Sequence, residues 1–131
     1  MSKPILCLDF DGVLHSYTSG WKGAAEIPDP PVPGTMKFLA EAVEHFEVCI
    51  FSSRTHQSGG LEAMQNWLWF HATGTVYNPE ETCCVPVWLL KIKWPETKPA
   101  AMIYIDDRAL TFTGIWPAMS QLLSFKPWNK Q

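Results

Sequence analysis

Positive charge is in short supply in this chain: ten Lys and Arg face thirteen Asp and Glu, for a net charge of −3 with histidine neutral. That balance provides no basic field along which a long polyanion would lie. Extended duplex binding is therefore not expected, and any phosphate must be gripped locally. Cysteine is equally sparse. Cys7 and Cys49 lie inside apolar runs, Cys83 and Cys84 are adjacent, and no Cys-x-x-Cys spacing exists, which argues against a zinc site or a structural disulfide. No segment approaches the roughly 20 apolar residues of a membrane span. Met1-Ser2-Lys3-Pro4 and the short apolar run behind it lack the form of a secretory signal. A cytoplasmic protein with no membrane partner is the expectation. Internal repeats and low-complexity tracts are also missing. The 131 residues fit one domain, 1–131, large enough for a core but not for a separate substrate domain.

Short apolar runs bounded by polar clusters carry the fold information. Ile5 to Leu8 and Phe46 to Phe51 read as strands buried on both faces, and Ala101 to Ile105 as a third. Between them, Thr35 to His45 carries apolar residues three and four apart, with Thr35 as its N-cap. Leu61 to Ala72 does the same between Ser58-Gly59-Gly60 and Thr73-Gly74. Trp88 to Trp94 reads as strand or helix turn, and Met119 to Phe125 as a last helix or strand. From Leu14 to Gly34 the chain holds two glycines and four prolines before Gly34, too many breakers for a long helix. It reads as a short flap, with a small hairpin at His15 to Ala25. Strands alternating with helices imply a parallel sheet covered on both faces, a Rossmann-like three-layer α/β/α sandwich with at most a minimal cap. Seven tryptophans point to an aromatic core.

On such a sheet, ligands bind at the carboxyl ends of strands. Three polar clusters stand at those ends: Asp9-Phe10-Asp11-Gly12 after Leu8, Ser52-Ser53-Arg54-Thr55 after Phe51, and Asp106-Asp107-Arg108 after Ile105. They should gather on one edge of the sheet. A turn at Gly12 after the strand end lets the carboxylates of Asp9 and Asp11 meet one cation. Taken alone, Asp-x-Asp-Gly is also a common turn, and Asp107 with Arg108 a common local ion pair.

Asp9-x-Asp11-Gly12-Val13, a serine closing the second strand, a lysine before the last strand and Ile105-Asp106-Asp107 together resemble, in order, the four motifs of the haloacid dehalogenase superfamily. The likeness spans nearly the whole chain and is closest to small capless phosphatases. It implies that Asp9 is a nucleophile forming an aspartyl phosphate, and that Asp11 moves protons to and from the leaving group and the attacking water. It further implies Mg²⁺ held by Asp9, the Asp11 carbonyl and Asp106, with Asp107 orienting a water or the lysine from outside. Ser52, the first residue after four apolar ones, would donate to a phosphate oxygen. Gly12, Ser53 and Arg54 would complete the substrate-binding surround.

Lys98, in Lys98-Pro99, best matches the third motif, with Lys91 and Lys93 as rivals because little chain separates Lys98 from Asp106. His15 and Tyr17 are weak leaving-group contacts, and Trp21 and Lys22 of the flap are placed to stack on a base. These features imply a Mg²⁺-dependent phosphomonoester hydrolase. Its substrate would be a small molecule or a nucleic-acid end, with nucleotides and polynucleotide ends first and sugar phosphates next. A catalytically idle member that binds metal or phosphate as an interaction module is the alternative.

Overall fold

The computed structural model describes residues 2–130. Its framework is a three-stranded parallel sheet in the order β2-β1-β3, formed by β1 (Ile5–Leu8), β2 (Glu47–Ile50) and β3 (Ile103–Ile105). The register sets Leu8 opposite both Ile50 and Ile105, so all three strands end at one level. Between the strands lie α1 (Thr35–His45), α2 (Gly60–Thr73) and α3 (Val87–Lys91), and α4 (Met119–Leu123) follows β3. Among the described residues no helix is long and apolar enough to cross a membrane.

The strands are short because each apolar run holds only four or five residues before a charge or a turn. Alternation sends Leu6, Leu8, Val48 and Ile50 to one face, where they join Leu39, Ala42 and Val43 of α1 and Met64, Trp67 and Leu68 of α2 in a single core. Each helix offers that core residues spaced three and four apart, as the sequence predicts. Complete burial of each such side chain contributes about 1.5–3 kcal/mol against unfolded-chain entropy. Cys7, Cys49 and Tyr104 share the opposite face. There the Tyr104 hydroxyl donates to the Pro99 carbonyl at 2.6 Å and accepts from the Ala101 amide at 3.0 Å, tying the segment before β3 onto the sheet.

Several local expectations change. Gly34, at φ 89, caps α1 in place of Thr35, which is the first helical residue and whose hydroxyl donates backward to the Val32 carbonyl at 2.7 Å. Trp88 to Trp94 proves to be both alternatives in turn. Residues through Lys91 are helical, and Lys93 then forms one parallel bridge on the outer side of β2. The flap is not a hairpin. Its base is pinched where His15 bridges Pro31, with the Ser16 amide on the Pro30 carbonyl and the Val32 amide on the Leu14 carbonyl, but its tip has no strand ladder. The tryptophans divide: Trp67 and Trp69 are buried on α2, while Trp21, Trp116 and Trp128, which lie outside the sheet and the α-helices, are exposed.

Candidate active site

The three polar clusters do meet. The Asp9 amide donates to the Ile105 carbonyl at 3.0 Å and the Phe51 amide to the Leu8 carbonyl at 3.0 Å, so the ladder continues one step past each strand and delivers the loops side by side. Phe10 anchors the turn. Its ring is wholly buried edge-on against Trp67 at 5.0 Å, and its carbonyl accepts the amides of Val13, Leu14 and His15. With Phe10 pinned in the core, Asp9 and Asp11 are directed away from it.

Asp9, Asp106 and Asp107 bring three carboxylate oxygens within 4.8 Å of one another. Burial, with Asp106 and Asp107 adding their negative charge, pushes Asp9 up to about 7. Burial and Asp106 raise Asp107 as well, and both of its oxygens are buried without a hydrogen-bond partner among the described residues. Asp106 is exposed and accepts the Arg108 amide at 2.8 Å. Asp107, expected outside the metal shell, thus stands in the cluster on the same footing as Asp106. Gly12 makes room for it. At φ +81 it occupies the left-handed region, and a Cβ there would come within 2.1 Å of Asp107 Oδ2. Three crowded, mutually repelling carboxylates, one of them with both oxygens buried and unpartnered among the described residues, fit a hard divalent cation with oxygen ligands, the class to which Mg²⁺ belongs.

Asp11 stands apart from this cluster in a different electrostatic setting. Burial alone would raise it, but hydrogen bonds from His15 and Arg54 and the Arg54 charge outweigh burial and hold the carboxyl below its ordinary range. Arg54 Nε donates to Asp11 Oδ2 at 2.8 Å from a side chain with no solvent exposure. His15 is equally buried. The Asp29 amide donates to its Nε2 at 3.1 Å, which assigns the ring hydrogen to Nδ1, and Nδ1 donates to Asp11 Oδ1 at 2.9 Å. Asp29 is itself fixed by the Ser19 amide and hydroxyl. His15, read from the sequence as a weak leaving-group contact, is a buried brace of Asp11, and Tyr17 sets its ring edge against it at 5.8 Å.

Arg54, expected in the substrate-binding surround, is tied for the most part into the flap. Its Nη1 is held by the carbonyls of Gly23, Ala24 and Glu26, and Trp21 lies 4.6 Å above the guanidinium, so the flap tryptophan is engaged by the arginine. Only Nη2 lacks an acceptor among the described residues. Gly60, whose Cβ would strike the Arg54 carbonyl at 2.1 Å, lets α2 begin hard against this residue. Ser52 is buried and its Oγ accepts the Arg54 amide at 3.1 Å, leaving its hydroxyl hydrogen to donate. Ser53 and Lys22 are exposed.

The lysines separate by position. Lys93 is paired with Glu47, the first residue of β2, at the end of the strand away from the carboxylates. Lys91 is an exposed residue of the last turn of α3. Lys98 Nζ lies 4.7 Å from the Tyr104 ring centre, and its charge acts on the Cys7 thiol, which burial nonetheless pushes up. Cys7 shares its sheet face with Asp9 two residues on, so Lys98 is the lysine on the Asp9 face. No family model matches this chain, and neither a curated protein nor a solved structure does.

Proposed function

We propose that this chain is a haloacid-dehalogenase-like, Mg²⁺-dependent phosphomonoester hydrolase on a Rossmann-like three-layer core. The observation that carries this reading is the separation of four aspartates into two settings on one strand-end ledge. Asp9, Asp106 and Asp107 crowd together, and Asp11 is held apart by Arg54 and His15. A turn with caps needs neither arrangement, whereas phosphoryl transfer through a covalent intermediate needs both.

Asp9 would hold the metal with Asp106 and Asp107, and a bound Mg²⁺ would supply the positive charge that lets these groups and a phosphate coexist. An Asp9 oxygen attacks phosphorus and the ester P–O bond breaks, leaving an aspartyl phosphate and an alkoxide that takes the Asp11 proton. Water then attacks the aspartyl phosphate, Asp11 takes its proton, and phosphate leaves with Asp9 restored. The Ser52 hydroxyl and Arg54 Nη2 are the donors left over for phosphate oxygens. The low setting of Asp11 serves the second step, while the first depends on its protonated form.

Turnover of p-nitrophenyl phosphate with Mg²⁺ is the direct test, and an interaction module would show none. Asp9→Asn removes the anionic nucleophile at nearly constant shape and should abolish this turnover. Retention within about tenfold of wild type, only ~1.4 kcal/mol of barrier, would exclude the covalent route.

A further inference from the structure

Trp128 is 116 residues distant in sequence from Gly12, yet its indole Nε1 donates to the Gly12 carbonyl at 2.8 Å. One residue later, Asn129 Nδ2 donates to the Ser16 carbonyl at 3.0 Å. Together they fix the C-terminal 3-10 turn, Trp128–Lys130, onto the loop that carries Asp11. The bond satisfies the only polar atom of the indole and sets its plane, while the ring remains 53 % exposed.

That ring borders a cavity of about 250 Å³ whose other walls are Gly12, Val13, Val32, Ile105, Asp106 and Asp107. Asp106 and Asp107 therefore stand at one side of a space otherwise lined by Gly12, aliphatic side chains and the indole. Val13, Val32 and Ile105 also line the adjoining hollow of about 230 Å³ above Leu8 and Leu39, so the apolar wall continues toward α1. An apolar cavity of about 150 Å³ already accepts a benzene ring. The volume here suits one or two fused rings. A sugar or polyol would meet no side-chain partner for its hydroxyls except Asp106 and Asp107, and would lose hydrogen bonds to water without replacement.

We infer that Trp128 is a substrate-binding residue, the stacking wall for a planar ring carried by the alcohol portion of the phosphomonoester. The inference rests on the hydrolase reading above and adds a substrate class to it: phosphate esters of alcohols that bear an aromatic ring or a nucleobase.

The test compares benzyl phosphate and adenosine 5′-phosphate with glycerol 3-phosphate, all esters of primary alcohols, in wild type, Trp128→Ala and Trp128→Phe. Wild type should favour at least one ring-bearing ester by about tenfold or more in kcat/KM, the effect of a single lost stack. In Trp128→Ala the ratio should collapse to about unity through a raised KM for that ester. Trp128→Phe keeps a ring without the N–H and should preserve the ratio. Taking a ratio cancels any general loss from releasing Gly12. No preference in wild type, or a preference that survives in Trp128→Ala, overturns the inference. Equilibrium binding of adenosine, which carries no phosphate, is measured alongside by NMR. If no ester is turned over, the hydrolase reading fails; adenosine binding lost in Trp128→Ala then still supports the ring site, and absence of binding to wild type overturns it.

Discussion

Arg54 Nε donates to Asp11 Oδ2 at 2.8 Å while Nη1 of the same guanidinium binds three flap carbonyls, Gly23, Ala24 and Glu26, and the group is closed to solvent. One cation therefore fixes both Asp11 and the flap folded over it. Removing the cation strands a buried carboxylate and three carbonyls at once.

Arg54→Ala should accordingly cost about 3–5 kcal/mol of stability, the range for breaking a buried ion pair from one side. Urea denaturation measures it. Arg54→Lys, which keeps the charge and loses the planar fork, should recover only part of the loss. A cost below about 1 kcal/mol for Arg54→Ala would show that the pair is not held as described.

The Asp9 carboxyl stands at about 7 in the folded chain against an ordinary 3.8, so the native state binds this proton more tightly than the unfolded state. Between those values stability falls as pH rises, and above 7 the full penalty is present. Asp107, also raised, acts in the same sense, whereas the lowered Asp11 stabilises above the ordinary carboxylate range and loses this contribution only in acid. Metal-free protein should therefore melt higher near about pH 6 than near about pH 8. Mg²⁺ should raise the midpoint more at the higher pH, and Asp106→Ala should lose that response. A metal-free midpoint that climbs across this interval contradicts the sign.

Gly12→Ala places a methyl group against Asp107 Oδ2 and forces a left-handed residue to carry a side chain. The backbone term alone is worth about 1–2 kcal/mol, and displacement of Asp107 should weaken Mg²⁺ binding in addition. Calorimetric titration with Mg²⁺ checks this: an unchanged affinity would mean that Asp107 takes no part in holding the ion.

Among the lysines, Lys98→Ala should impair turnover most. Lys93→Ala should only release Glu47 at the far end of β2, and Lys91→Ala should remove an exposed charge. Kinetics of the three variants at saturating Mg²⁺ decide the order. Should Lys93→Ala prove the inactive one, the placement of Lys98 on the Asp9 face has no catalytic meaning.

Much of this arrangement is legible in the chain itself. Apolar runs of four or five residues ending in aspartate or serine mark β1, β2 and β3 and the ledge where they stop; for β1 and β2 the reason is that a parallel strand buried among helices cannot carry charge until it leaves the sheet, whereas β3 is exposed along its length. The spacing of Leu39, Ala42 and Val43, and of Met64, Trp67 and Leu68, marks the buried helix faces for the same reason. The asymmetry among the four aspartates is not legible, since the same residue type and the same Asp-x-Asp and Asp-Asp spacings serve either setting. His15 four residues after Asp11 is a faint local signal for their pairing, but its burial depends on Asp29 and Trp67 arriving from elsewhere. The 43-residue separation of Arg54 from Asp11 and the 116-residue separation of Trp128 from Gly12 leave no periodic trace. Sequence determined which residues end β1 and β2, because burial and charge are incompatible at each position separately. Only the tertiary structure decided which carboxylates crowd one another and which one receives a cation, because proton affinity depends on distances that the folded chain alone sets.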